Sequence, residues 1–423
     1  MNVLLIGGGG RESALAWKIS QSPQLRKLYI SPGNGGTIGF GTNIPSLSID
    51  KSIAFAKKNR IDLTIIGPET PLTEGIVDKF RKEGLQIFGP TKAASKLEGS
   101  KVWAKNFFRK YSIPSAKSYN FSNFESSLDF INNNNPEKWV IKVDGLASGK
   151  GVFLPNNISE AKVILDKIFT KNVFGGSGKN IIIEERLYGV EVSVFAFVNN
   201  INVSNSVAAC DFKRIYDGDL GLNTGGMGAV SPPAFWNQTI ENEIRNNIFI
   251  PTAKAMIKEG CPYSGILFAG LIITSSGIKV LEFNCRFGDP ETQVIIPRIN
   301  SDLLKIFYKA SDPNFNDEIF IDINELNSLG VVIASGGYPE KFTDGKKISG
   351  LSSKNDDLNS IIFQAGTKLD DESNFYSNGG RVLICVGLGD DYEESRKIAY
   401  NKVSSINFDD MYYRKDIGEN RSL

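Results

Sequence analysis

Along this chain, short apolar runs that end in glycine or proline alternate with stretches of helical periodicity. Residues 2–6 (NVLLI) form one such run, stopped by GGGG at 7–10, and Ala14, Leu15 and Trp17 then recur at helical spacing. Similar runs end at Pro32, Pro68 and Pro90 with helical stretches between them, which predicts a parallel doubly wound sheet. A helix is expected over 92–111, followed by a polar NNNN loop at 132–135. Strands are expected at 139–143, 181–184 and 191–197, and the first two flank glycine-rich segments. Nearer the C-terminus the pattern predicts strands at 330–335 and 382–386 and a helix over 392–406.

The chain therefore reads as an α/β and α+β multidomain protein. Its parts are a parallel-sheet domain over 1–100, a central domain over 101–318 that includes a mobile lid lobe at about 119–192, and a smaller α+β domain over 319–423. A length of 423 residues fits such a division, since one core rarely serves more than about 250–300 residues.

Composition narrows the function by exclusion. Lys and Arg total 48 against 47 Asp and Glu, so there is no charge excess for wrapping nucleic acid or lying on an anionic membrane. No apolar run approaches the roughly 18 residues of a membrane span, and residues 1–7 read as a buried strand rather than a cleavable signal, which points to the cytoplasm. The four cysteines are scattered without paired spacing. The chain contains no histidine, so Ser-His-Asp and Cys-His catalysis and His-ligated zinc are unavailable to it.

Four segments carry candidate chemistry. GGGGRE at 7–12 leads into a helix N-terminus, where free N–H groups favour an anion; a tight turn would also need glycine. It lacks the third glycine and the later acid of a dinucleotide fingerprint. KVDGLASGKG at 142–151 places two lysines around a flexible turn and suits a polyphosphate, or else a solvated hairpin. With Gly175 to Gly178 and EERLYGVE at 184–191 it could supply a phosphate cover, a strand edge for adenine and a carboxylate for ribose hydroxyls. In KVLEFNCRFGDPE at 279–291, strand alternation puts Glu282, Asn284 and Arg286 on one face and Leu281, Phe283 and Cys285 on the other. The carboxylate and carboxamide offer oxygen ligands to Mg²⁺, and the guanidinium can grip a carboxylate in a fork. DFKRIYDGDLGLNTGGMG at 211–228 could close over small polar substrates or serve as an exposed connection.

Taken in order, GGGGRE, GPETPL, IKVDGLASGKGV, IEERLYGVEVS, DFKRIYDGDLGLNTGGMGAVSP, LEFNCRFGDPETQ and YYRKDIG resemble the motif series of the phosphoribosylamine-glycine ligase family. The resemblance implies an ATP-grasp fold preceded by a Rossmann-like domain. It also implies ATP-dependent joining of glycine to 5-phosphoribosylamine through a glycyl phosphate, by a monomer whose partners are small molecules. Carried over by position, Lys105, Lys142, Gly149, Lys150, Gly151, Glu184, Glu185, Leu187 and Glu191 would bind ATP, and Glu282 and Asn284 would hold Mg²⁺ or Mn²⁺. Gly9, Gly10, Asn34, Glu69, Asp211, Lys213, Asn223, Thr224, Gly225, Gly226 and Arg286 would line the substrate site. Arg286, Lys142, Asp211 and Lys213 would carry the catalysis. The chain departs from the family at Ser13, Phe212 and Gln364, where histidine is expected.

Overall fold

The computed structural model describes residues 1–146, 151–351 and 357–419. The chain opens on a five-stranded parallel sheet in the order Thr42–Asn43, Lys27–Pro32, Asn2–Gly7, Leu63–Ile66, Ile87–Phe88. Its central strands are buried nearly throughout, as expected of a parallel sheet with helices on both faces.

The helix expected over 92–111 is two helices, Lys96–Gly99 and Lys101–Tyr111. Ser100 leaves the helical region at φ −141°, ψ 110°, and its hydroxyl accepts the Trp103 N–H. It is an N-cap in the middle of a continuous periodic stretch, and a cap of this kind offsets one otherwise unpaired donor. The break turns Glu98 toward the rest of the molecule.

Residues Ser118–Phe121, Ile181–Glu185, Trp139–Val143 and Val152–Phe153 form a separate four-stranded antiparallel sheet. With the helices Phe124–Asn132 and Ile158–Leu165 it encloses its own small core of Ile131, Ile141, Val143, Ala161, Leu165, Ile181 and Ile183. These elements span 118–185, against a lobe expected at about 119–192. Asp144 ties it to the body by accepting the Val102 N–H at 3.1 Å and the Ser100 hydroxyl at 3.2 Å.

The largest sheet has nine strands. It runs Gly277–Asn284, Ser264–Thr274, Val190–Asn199, Val207–Asp211, Gly228–Ser231, Asn327–Ala334, Arg381–Gly389, Ser360–Gln364, and Asn202–Val203 pairs with the third of these. The strands and the helix Tyr392–Ser404 expected near the C-terminus are present. They do not build an independent sheet, however: Gly228–Ser231 pairs antiparallel with Asn327–Ala334, so the central and C-terminal parts share one sheet. Among the described residues no helix is long and apolar enough to cross a membrane.

Candidate active site

The lobe, the large sheet and the helix after Ser100 surround a cleft of about 400 Å³. Its floor includes the strand Gly277–Asn284, where strand alternation alone misplaces one residue. Gly270 pairs with Glu282, but Leu271 pairs with Val280, so Leu281 is the extra residue of a β-bulge. Ile278 and Val280 pack into the core before the bulge, and Phe283 and Cys285 pack there after it. Without the bulge Glu282 would follow Val280 into the core. With it, Glu282 stands in the cleft beside Leu281, which contradicts the expected apolar face of Leu281, Phe283 and Cys285. Asn284 and Arg286 line the cleft with Glu282 as expected.

Enclosure by the cleft walls works against ionisation of Glu282, but Lys101, Lys142, Lys213 and Arg286 hold its carboxyl below the ordinary range. Among the described residues none forms an ion pair with Glu282 within 4.0 Å, and no three Cys, Asp or Glu side chains are grouped to hold a metal. An ionised carboxylate without a direct ion partner, two residues from a carboxamide, fits a hard cation that completes its shell with phosphate oxygens and water.

On the lobe side, Glu184 is 2% exposed and lies between two buried lysines, with Lys142 Nζ at 2.5 Å and Lys105 Nζ at 2.7 Å. Burial and the neighbouring Lys142 push the Lys105 ammonium below its ordinary pKa, although Glu184 opposes the shift. For Lys142 burial is outweighed by Glu184 and Glu282, and its pKa is raised. Lys105 and Lys142 line the cleft and Glu184 sits behind them, so the carboxylate orients the cations and leaves the cleft to another anion.

The opposite wall is the segment after the strand Val207–Asp211. Asp211 and Lys213 face the cleft, and Lys213 Nζ lies 2.7 Å from Glu191 and 3.9 Å from Asp211. Asp211 and Glu191 raise the Lys213 pKa well above its ordinary value. Asp211 is raised by burial and by Glu191, with Lys213 opposing. Thr224 and Gly225 also reach the cleft. Gly226 has φ +111° and a side chain there would lie 2.4 Å from the Pro290 ring, so this position needs glycine, whereas at Gly225 the nearest atoms, from 2.9 Å, are the end of the flexible Arg381 side chain. Buried Glu291 accepts the Ser193 hydroxyl at 3.0 Å, and burial together with Asp211 pushes its pKa up to about 7.

Arg286 is more heavily engaged than a free fork. Nε contacts Glu69 at 3.0 Å, Nη2 contacts Glu98 at 3.0 Å, and Nη1 donates to the Phe287 carbonyl. Glu98 also accepts the Cys285 N–H at 2.7 Å; burial raises its pKa, while Arg286 opposes the rise.

The first domain differs most from expectation. The anion attracted to the helix Gly10–Ser20 is internal: Glu12 accepts the Gly9 N–H at 2.6 Å and Asp289 accepts the Arg11 N–H at 3.2 Å. Gly10 is explained by Gln293, whose nitrogen would lie 2.4 Å from a side chain placed there. The Asn34 amide donates to the Gly8, Gly9 and Gln364 carbonyls and accepts the Gly36 N–H, so it locks the loop against the C-terminal strand. Gly9, Gly10 and Asn34 do not line the cleft, nor do Glu185, Leu187, Asn223 or Gly226; Glu69 and Gly151 do. Gly149 and Lys150 lie outside the described residues. Phe212, placed beside the substrates by its sequence position, points the other way: it is 2% exposed in the core, with the Arg414 guanidinium 5.3 Å above its ring. Ser13 and Gln364 are buried away from the cleft, near the contact between the first and last domains.

The sequence reading missed Glu98, Asp289, Glu291 and Arg381, all of which line the cleft. For Glu98 the signal was Ser100 two residues on, a capping residue after glycine. Asp289 and Glu291 sit around the proline of GDPE. Arg381 had no local signal, since only the shared sheet brings it here, where it contacts Asp289 at 3.2 Å and the Gly225 carbonyl at 2.6 Å.

Three family models match the chain in succession: the N domain of phosphoribosylglycinamide synthetase over 1–98, its ATP-grasp (A) domain over 99–292 and its C domain over 328–420. A phosphoribosylamine–glycine ligase of Caldanaerobacter subterraneus is 44% identical over 422 residues, covering 99% of each chain. One from Escherichia coli K12 is 44% identical over 99% of this chain and 98% of its own length. The crystal structure of the Thermotoga maritima ligase superposes with a TM-score of 0.86 at 32% identity, covering 99% of this chain and 100% of that one. The biotin carboxylase domain of Hydrogenobacter thermophilus 2-oxoglutarate carboxylase, solved with MgADP, has a TM-score of 0.73 at 11% identity, covers 97% and 91% of the two chains, and shares the fold alone.

Proposed function

The chain belongs to the phosphoribosylglycinamide synthetase family, ATP-grasp enzymes that join glycine to 5-phosphoribosylamine in purine biosynthesis, and from this we propose how its cleft divides that work. Lys105 and Lys142 take the ATP phosphates, held in place by Glu184. Glu282 and Asn284 hold the divalent cation, Mg²⁺ or Mn²⁺, which when bound neutralises phosphate charge. Asp211, Lys213, Thr224 and Gly225, opposite, take the small substrates, with Arg286 at the junction. The observation that carries this reading is the placement of the paired lysines and the bulge-directed Glu282 in one cleft.

A carboxylate is a poor electrophile, so a glycine carboxylate oxygen first attacks the γ-phosphorus and the bond to ADP breaks, giving glycyl phosphate. The phosphoribosylamine nitrogen then attacks the acyl carbon, phosphate leaves, and the amine gives up a proton. Lys105 and Lys142 are already fixed and desolvated, so they stabilise charge on the transferring group without reorganising. The chain needs no nucleophile of its own, and the lack of histidine is compatible with this route. The lobe, with its own core and its attachment at Asp144 and Ser100, suits exclusion of water from the acyl phosphate.

Glu282→Gln tests the assignment. The side chain is exposed to the cleft, so the variant should fold, losing no more than about 1 kcal/mol with the carboxylate that the surrounding cations favour. ADP release dependent on both glycine and phosphoribosylamine should fall by about a hundredfold or more at limiting Mg²⁺. Near-full activity under those conditions would exclude Glu282 as a ligand.

A further inference from the structure

Arg414 is the largest of the fully buried side chains, yet it belongs to a short C-terminal segment with no place in the cleft. Its Nε and Nη2 each lie 2.7 Å from an oxygen of Asp416, a two-pronged contact that fixes the guanidinium plane. Nη1 then reaches back some two hundred residues, to Asp219 at 2.8 Å and to the Arg214 carbonyl at 3.1 Å. Neighbouring groups grip the same hairpin: Asp416 accepts the Gly218 N–H at 2.8 Å, and the Lys415 N–H donates to Asp217 at 2.9 Å. The segment is itself fixed to the helix Tyr392–Ser404, where the Tyr400 hydroxyl donates to the Arg414 carbonyl at 2.8 Å.

The gripped hairpin, Arg214–Tyr216 with Leu220–Asn223, is a two-stranded sheet apart from the large one, and its second strand is exposed along its whole length. A lone hairpin is marginal in water, so its position depends on what anchors it. It leads directly from Lys213 to Thr224, and Thr224 closes it by donating through N–H and hydroxyl to the Lys213 carbonyl at 2.7 and 2.8 Å.

We propose that Arg414 is a positioning residue for the small-substrate wall: through Asp219 and Asp416 it holds the 214–223 hairpin, and the hairpin sets where Lys213 and Thr224 stand. This rests on the reading that Asp211, Lys213 and Thr224 meet glycine and the amine. Arg414 touches neither the reacting atoms nor the lysines assigned to ATP, so its loss should separate the substrates. Misplacement by about an ångström can cost up to a hundredfold in rate.

The test compares Arg414→Lys and Asp219→Asn with Lys213→Ala in the full-length enzyme. Steady-state constants for each substrate are measured alongside ADP affinity and thermal melting. Asp219 is at the surface end of the contact and keeps its shape as Asn, so that variant should fold even if Arg414→Lys does not. The expected result is a loss in kcat/KM for glycine or the amine of about tenfold or more in both positioning variants, with ADP affinity within about twofold of wild type. Arg414→Lys, which can keep one of the contacts, should be less impaired than Arg414→Met. Unchanged constants in folded Asp219→Asn, or equal losses of ADP affinity and substrate kcat/KM, would overturn the proposal while Lys213→Ala remained impaired. Normal glycine and amine constants in Lys213→Ala would instead overturn the assignment of the wall itself.

Discussion

Replacing Glu184 by Gln removes the one negative charge between two buried lysines, and the structure indicates the size of the effect. At contact distances of 2.5 and 2.7 Å each pair gains about 6 kcal/mol at an effective dielectric constant near 20, and most of this is offset by desolvating three ions. Removing the carboxylate leaves that desolvation in place, so the expected loss is about 3–5 kcal/mol, the usual result of breaking a buried pair from one side.

The loss should depend on pH. Burial already lowers the Lys105 pKa, and without Glu184 it falls further below the unfolded value. A lysine with a depressed folded pKa destabilises the fold fully at low pH, and the penalty fades as pH rises through the folded value. The stability deficit of Glu184→Gln should therefore be larger at pH 6.5 than at pH 9. ATP supplies the missing negative charge, so it should stabilise the variant more than the wild type. Urea melts with and without MgATP at both pH values measure all of this. A variant that melts with the wild type, or gains less from ATP than the wild type does, would refute the assignment of these lysines to the phosphates.

Arg286→Lys should lose about 2–4 kcal/mol, because one ammonium cannot bridge Glu69 and Glu98, and it should raise the glycine KM by about tenfold or more with little change for ATP. If the KM of another substrate rises instead, Arg286 has been given the wrong partner. Phe212→His introduces the histidine expected there from the resemblance, but on the face away from Asp211 and Lys213. It should change kcat/KM by less than about threefold and lower stability by about 1–3 kcal/mol, as burial of a poorly satisfied polar ring does. A gain of about a hundredfold would show that the position is catalytic.

The parallel sheet and the strands of the lobe follow from periodicity because each is locally encoded: apolar runs end in glycine or proline and helices fill the gaps. That Glu282, Asn284 and Arg286 share one face was legible for the same reason, although the bulge at Leu281 that delivers Glu282 to the cleft was not, since a bulge depends on how the neighbouring strand pairs. Ser100 shows a second limit, because one capping residue interrupted a helix that hydrophobic spacing continued. Glu98, Arg381 and Arg414 act across about 190, 160 and 200 residues of sequence, where no local pattern reaches. Asn34 and the glycine loop show a third limit, because nothing in the local sequence signals that the protein's own carboxylates and carbonyls meet these polar groups.

The sheet that runs unbroken from the central strands into the last ones sets how this molecule can be cut. Gly228–Ser231 is an interior strand only because Asn327–Ala334 lies against it. A chain ended before residue 327 would expose the backbone donors and acceptors of that strand, close to Gly225 in the cleft wall, as a template for pairing with other chains. Truncation there should yield aggregates rather than a smaller ligase. Exchange of the C-terminal part between relatives should succeed only where the donor strand keeps the register of Gly228 opposite Val331.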